Sequence, residues 1–277
     1  MTTNRRSAPY HVGRGRRATV VGGSATAPGP RRRPRRLRAP LAGALAALLG
    51  TGAGCDVLWR PYIQQLLPDG GAGDDALPAT CEQASGGGPQ RPGTVTLYLG
   101  SDSRKPWTAR CELVGDQLVE YLALPSSANN FSQYTAGGAA MGTDVRTTYG
   151  AVRIDPVTLK VSCSDQRHAT SVGTLSHPNS PDPIVVTSMP YGVAMGCNRS
   201  ANGVARIDLS GTPFEVAQNG FLSDGISALG TANYSSGNRM VDLTGGGYCG
   251  WQDPRPGVTN PINATPKIEL QLLYSPM

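Results

Sequence analysis

The chain has 277 residues and a formal net charge of +6, but that charge is unevenly placed. Eleven of its 25 Lys and Arg residues fall in positions 1–55, which contain no Asp or Glu, leaving 14 bases against 19 acids and a net charge of −5 in the remainder. The basic average therefore belongs to the N-terminal segment, which excludes a basic nucleic-acid-binding domain, while 36 Gly, 23 Pro and few aromatics point to a turn-rich, mainly β chain.

Residues 31–40, with six Arg, form a basic n-region, and residues 41–53 form an apolar run of small residues. Together they read as an export signal. Thirteen residues are too few for a permanent span, which needs about 20. Gly52-Ala53-Gly54-Cys55 resembles a bacterial lipobox, with Gly52 where Leu is usual. The resemblance implies lipidation of Cys55 and attachment to the membrane through that anchor, with ordinary signal cleavage and secretion as the alternative. Residues 1–55 are thus the leader. Residues 56–80, rich in Gly and acids around Pro68–Asp75, read as a flexible tether, and 81–277 as one folded domain.

Export makes disulfides plausible. With Cys55 lipidated, five cysteines remain. Four cysteines allow three connectivities, and the expectation is the two most local closures, Cys81 with Cys111 and Cys197 with Cys249. Each closure stabilises by about 3–4 kcal/mol in the chain-entropy account. Cys163 is left over. Alternation puts it on the face of Leu159 and Val161, as a buried, inert thiol.

The segments that follow alternate in the manner of half-buried strands. Val95, Leu97 and Leu99 share one face, as do Ala109, Cys111 and Leu113. Residues 116–124 read either as a short helix or as a strand. Val152–Ile154 and Leu159–Val161 flank Asp155-Pro156-Val157-Thr158, a hairpin turn in which Pro fixes φ and Asp caps the backbone. Ala205, Ile207 and Leu209 oppose Arg206 and Asp208, and a last strand places Ile268, Leu270 and Leu272 on one face. The predicted fold is a disulfide-stabilised single domain of antiparallel strands, sandwich-like.

Five ordered blocks carry a family resemblance: Asn129–Tyr134 with Gly137-Gly138; Gly142–Tyr149; Val152–Pro156; Ser188–Ala194 with Cys197; and Gly245–Trp251. Over residues 81–274 the chain resembles the GON domain, the C-terminal module of a subset of secreted ADAMTS-type zinc metalloproteases, also found in bacterial exported proteins without a protease. The resemblance implies an extracellular, disulfide-bonded module with an ancillary role. Pro92-Gly93-Thr94-Val95 stands where family members open with Asp-Gly-x-Tyr.

The zinc-protease helix of the parent family, His-Glu-x-x-His-x-x-Gly-x-x-His, cannot be assembled from His11, His168 and His177. The weak metal candidates are His168 and His177 with Asp165 and Cys163, against the reading of a solvated loop. Gly225–Gly230 lacks the spacing of a nucleophile elbow. The glycine runs 86–88 and 245–247 lack the Lys-Ser/Thr of a phosphate loop and read as linker and turn. Tyr134, Tyr149, Tyr191, Tyr248 and Trp251 are the candidates for an exposed recognition surface, with core packing as the competing role. Sequons occur at Asn130, Asn198, Asn233 and Asn263. The expected function is a noncatalytic, envelope-tethered module that binds an extracellular protein or glycan and uses no cofactor. The alternatives are a zinc-dependent hydrolase and a structural envelope protein.

Overall fold

Apolar residues at every second position give each strand one face to bury, and two sheets satisfy that requirement by facing each other across one core. The computed structural model describes residues 76–277 other than 87, 89–90, 258–259 and 264–266. The leader, Cys55 and tether residues 56–75 lie outside the described residues.

The first sheet has seven strands, in the order β1 (Gly93–Tyr98), β2 (Pro106–Val114), β3 (Gln117–Ala123), β7 (Ala151–Asp155), β8 (Lys160–Ser162), β19 (Glu269–Tyr274) and β14 (Phe214–Val216), every neighbouring pair antiparallel. Residues 117–123 are thus strand, the extended one of the two readings. The β7–β8 hairpin forms as its turn chemistry requires: Asp155 Oδ1 accepts from the N–H groups of Val157 and Thr158 at 2.8 and 3.2 Å. Ala109 and Cys111 are buried, but Leu113 at the strand end is 44% exposed, because no facing element reaches that far.

The second sheet contains β15 (Phe221–Asp224), β18 (Gly250–Pro254), β12 (Ala194–Gly196), β4 (Phe131–Thr135), β13 (Gly203–Asp208), β17 (Met240–Gly246) and β16 (Leu229–Ser235), with β6 (Val145–Tyr149) and β9 (Ala169–Val172) added beside β4. β4 forks it: β6 takes one edge, while β13 pairs with Phe131 and Ser132 and β12 runs parallel to Gln133–Thr135. Gly245 and Gly246 belong to β17 rather than to a turn. A Cβ on Gly245 would come within 2.0 Å of the Ala194 carbonyl oxygen, so only glycine lets these strands approach so closely. A small third sheet joins β5 (Met141–Gly142), β10 (Leu175–His177) and β11 (Ile184–Val186).

Helix α1 (Cys81–Ala84) is stapled to the first sheet in two ways. The Cys81–Cys111 disulfide ties it to β2, and Glu120 Oε1 of β3 accepts from the Cys81 N–H at 2.7 Å. The fold begins before Cys81, since Thr80 caps the helix and the Pro78 carbonyl accepts from Tyr98 N.

Residues 187–193 cross the interior without regular structure, and Met189 to Cys197 are all buried. Buried backbone outside a ladder needs other partners, and side chains supply them. Met189 N donates to Thr147 Oγ1 at 2.8 Å and Val193 N to Ser132 Oγ at 3.2 Å. The Met189 carbonyl accepts from Tyr149 Oη and Gln166 Nε2, and Tyr191 N donates to the Cys163 carbonyl. Asn130, fully buried, closes the set: its amide donates to the Ser126 and Asp208 carbonyls, and its oxygen accepts from Tyr191 Oη and Asp208 N.

Asn130→Ala strands four partners in the interior and should lower unfolding stability in guanidinium melts by about 3 kcal/mol or more. Asn233→Ala, at an exposed position, should stay within about 0.5 kcal/mol of the parent. Equal effects of the two substitutions would remove Asn130 from this role.

Candidate functional site

A cleft of about 790 Å³ opens on the first sheet beside α1. Strand β3 contributes Gln117 and Glu120, the β7–β8 hairpin Arg153, Asp155 and Lys160, and the start of β19 Glu269. Glu269 is bracketed by Lys267 Nζ at 2.6 Å and Lys160 Nζ at 3.0 Å, and these bonds hold its carboxyl below the usual range.

Of the other four carboxyls on the cleft, Glu82, Asp116, Glu120 and Asp155, the last two are pushed apart. Burial raises Glu120, only partly offset by the bond from Cys81 N. Burial also works to raise Asp155, but the N–H bonds from Val157 and Thr158, with Lys160 nearby, outweigh it and leave the carboxyl lowered. Divergent carboxyls in one cleft suit acid–base chemistry in principle. Both are already engaged, however: Glu120 holds α1 and Asp155 closes its own turn. These two carboxyls are thus structural, and the cleft wall presents side chains of both charges.

Four of the five aromatic residues predicted for an exposed surface are in the core. Tyr134 and Tyr149 are 0% exposed, Tyr191 1% and Trp251 6%; Tyr248 alone, at 54%, faces solvent. For Tyr149 and Tyr191 the reason is the irregular interior segment, whose polar groups need hydroxyls nearby. Tyr149 and Tyr191 stack edge to face at 5.0 Å and direct their Oη atoms to Met189 O and Asn130 Oδ1.

The two histidines also serve different neighbours. His168 Nε2 stands 2.9 Å from Glu112 Oε1, an oxygen shared with Arg110 Nε at 2.6 Å, and its ring meets Tyr121 edge-on at 4.7 Å. Tyr121 Oη donates to Asp165 Oδ2 at 2.9 Å, and burial, with that bond, pushes the phenol up to about 12. Cys163 is the free thiol, fully buried, its pKa driven up by desolvation. The predicted metal set of His168, His177, Asp165 and Cys163 is thus not brought together: among the described residues, the group of three metal-type ligands is His177, Cys197 and Cys249.

His177 sits at the end of β10, 5% exposed, against the Cys197–Cys249 disulfide that links β12 to the residue before β18. Its proton position follows from the neighbours. Asn260 Oδ1 accepts from Ile262 N at 3.1 Å, which turns the amide Nδ2 toward His177 Nε2 at 3.2 Å. Nε2 is then the acceptor and Nδ1 carries the proton, donating to Tyr134 Oη at 2.7 Å. Tyr134 in turn donates to Cys197 Sγ at 2.8 Å. No periodic pattern marks this cluster: Tyr134 and His177 lie 43 residues apart along the chain, and His177 and Asn260 83 apart.

Comparisons with family models, curated proteins and solved structures found no match to this chain.

Burial lowers the His177 pKa below its ordinary 6.5. As pH falls through about 6.5, the unfolded imidazole takes a proton that the folded one refuses, so this contribution is complete above that value and is lost toward the folded pKa. Between about pH 7.5 and pH 5.5 the parent should therefore lose more stability than a His177→Asn chain. Equal losses in guanidinium melts would contradict a neutral buried imidazole.

Proposed function

We propose that the chain is an exported, noncatalytic GON-like module, tethered through lipidated Cys55, that binds an extracellular polypeptide in the cleft beside α1. Two disulfides fit an oxidising compartment, and among the described residues no helix is long and apolar enough to cross a membrane. The observation that carries the reading is the cleft itself. Acids and bases alternate along its walls, and no aromatic ring lines it among the described residues. Of a protein or a glycan, that lining favours a chain bearing both charges over a neutral sugar. Charge complementarity of this kind sets register and association rate, and salt weakens it.

A photo-crosslinking residue at exposed Val157, on the cleft, should capture a saturable protein partner from intact cells. Arg153→Glu should reduce that capture at least tenfold, while Arg199→Glu, outside the cleft, leaves it unchanged. Capture indifferent to Arg153→Glu, or none that saturates, would overturn the proposal.

A further inference from the structure

The Cys197–Cys249 disulfide has neighbours that a purely structural cross-link does not require. Both sulfurs and an imidazole nitrogen of His177 lie within 4.8 Å of one another. Tyr134 and Asn260 complete a hydrogen-bonded line that ends on Cys197 Sγ. Tyr134, His177 and Cys197 are almost wholly buried. Cys81–Cys111 belongs to no such group among the described residues. Placing an imidazole and a phenol in the interior to face a bond that needs neither calls for another role. Two sulfurs and one imidazole are the donor set of a soft divalent cation site, in which zinc keeps a fourth position open. On one zinc, such donors stand about 3.5–3.8 Å apart, a spacing within the spread already present here.

We propose that His177, Cys197 and Cys249 form a zinc-class site with two states, closed as the disulfide and open after reduction by a dithiol. The dithiol passes two electrons and two hydrogens to the Cys197–Cys249 bond and leaves as a cyclic disulfide. A zinc ion then displaces both thiol protons to solvent and takes the two thiolates and the His177 Nδ1 lone pair. The imidazole proton moves from Nδ1 to Nε2, and Asn260 rotates its amide to accept it. Tyr134 Oη, freed from Nδ1, remains a donor to the Cys197 thiolate. Cys249 is half-buried while Cys197 is buried, so the reductant enters at Cys249.

The test uses the full chain, reduced with a phosphine that takes its oxygen from water, and then alkylated with and without zinc while peptide mass spectrometry follows each cysteine. Zinc should slow alkylation of Cys197 and Cys249 at least tenfold and leave Cys81 and Cys111 unchanged. His177→Ala should abolish the protection. Asn260→Asp, whose carboxylate accepts from Nε2 without rotating, should tighten zinc binding by about 10-fold or more. Equal alkylation of all four cysteines, as an unfolded reduced chain would also give, overturns the proposal, as does protection that survives His177→Ala or a weaker site in Asn260→Asp. Partner capture in the cleft does not enter this measurement, so the two proposals fail separately.

Discussion

The fold depends on a constraint of backbone chemistry: residues 187–193 pass through the core without a ladder, and every buried N–H and C=O there needs a partner. The partners come from both sides of the segment. Ser132 on β4 and Thr147 on β6 take its N–H groups, and Tyr149 on β6 caps its carbonyl. Asn130, just before β4, reaches Tyr191 on that segment and Asp208 on β13 with one side chain. An apolar side chain at any of these positions would fit the space but leave backbone unpaired, and that penalty is larger than the gain of a hydrogen bond. The segments Asn129–Tyr134, Gly142–Tyr149 and Ser188–Ala194 therefore form one physical unit.

This explains what was legible in the sequence and what was not. Period-2 alternation identified β1, β2, β13 and β19, because a strand with one buried face writes that face into its own sequence. The Asp155–Thr158 turn was legible for a similar local reason. The tyrosines were not, since a phenol looks the same whether its hydroxyl meets water or a buried carbonyl. Gly245 and Gly246 read as a turn because no local pattern reveals that β12 lies against the first and residues 200–202 against the second. The cleft and the His177 cluster draw on strands far apart in the chain, and only pairing brings them together.

The two disulfides occupy unlike surroundings and so have unlike consequences. Cys81–Cys111 anchors a short helix to the buried face of the first sheet, and Glu120 beside it shapes one wall of the cleft. Its contribution is local order at the point where the domain meets the chain that precedes it. Cys197–Cys249 lies within the core of the second sheet, where strands already hold the backbone in place, and its neighbours are polar.

That second location is itself set by glycine. Gly203 lies so close to β12 that a Cβ would come within 2.0 Å of the Met195 carbonyl oxygen, and Gly250 would meet the Gly246 carbonyl oxygen at 2.4 Å. Larger residues there would push β13 away from β12 and β18 away from β17, and Cys249, the residue before β18, would move with β18. Tyr134 is fixed independently, by its pairing to Met195 of β12 and Val145 of β6. The approach of Cys249 to Cys197 thus depends on backbone contacts that only glycine permits, while the hydroxyl that meets Cys197 Sγ is placed by strand pairing.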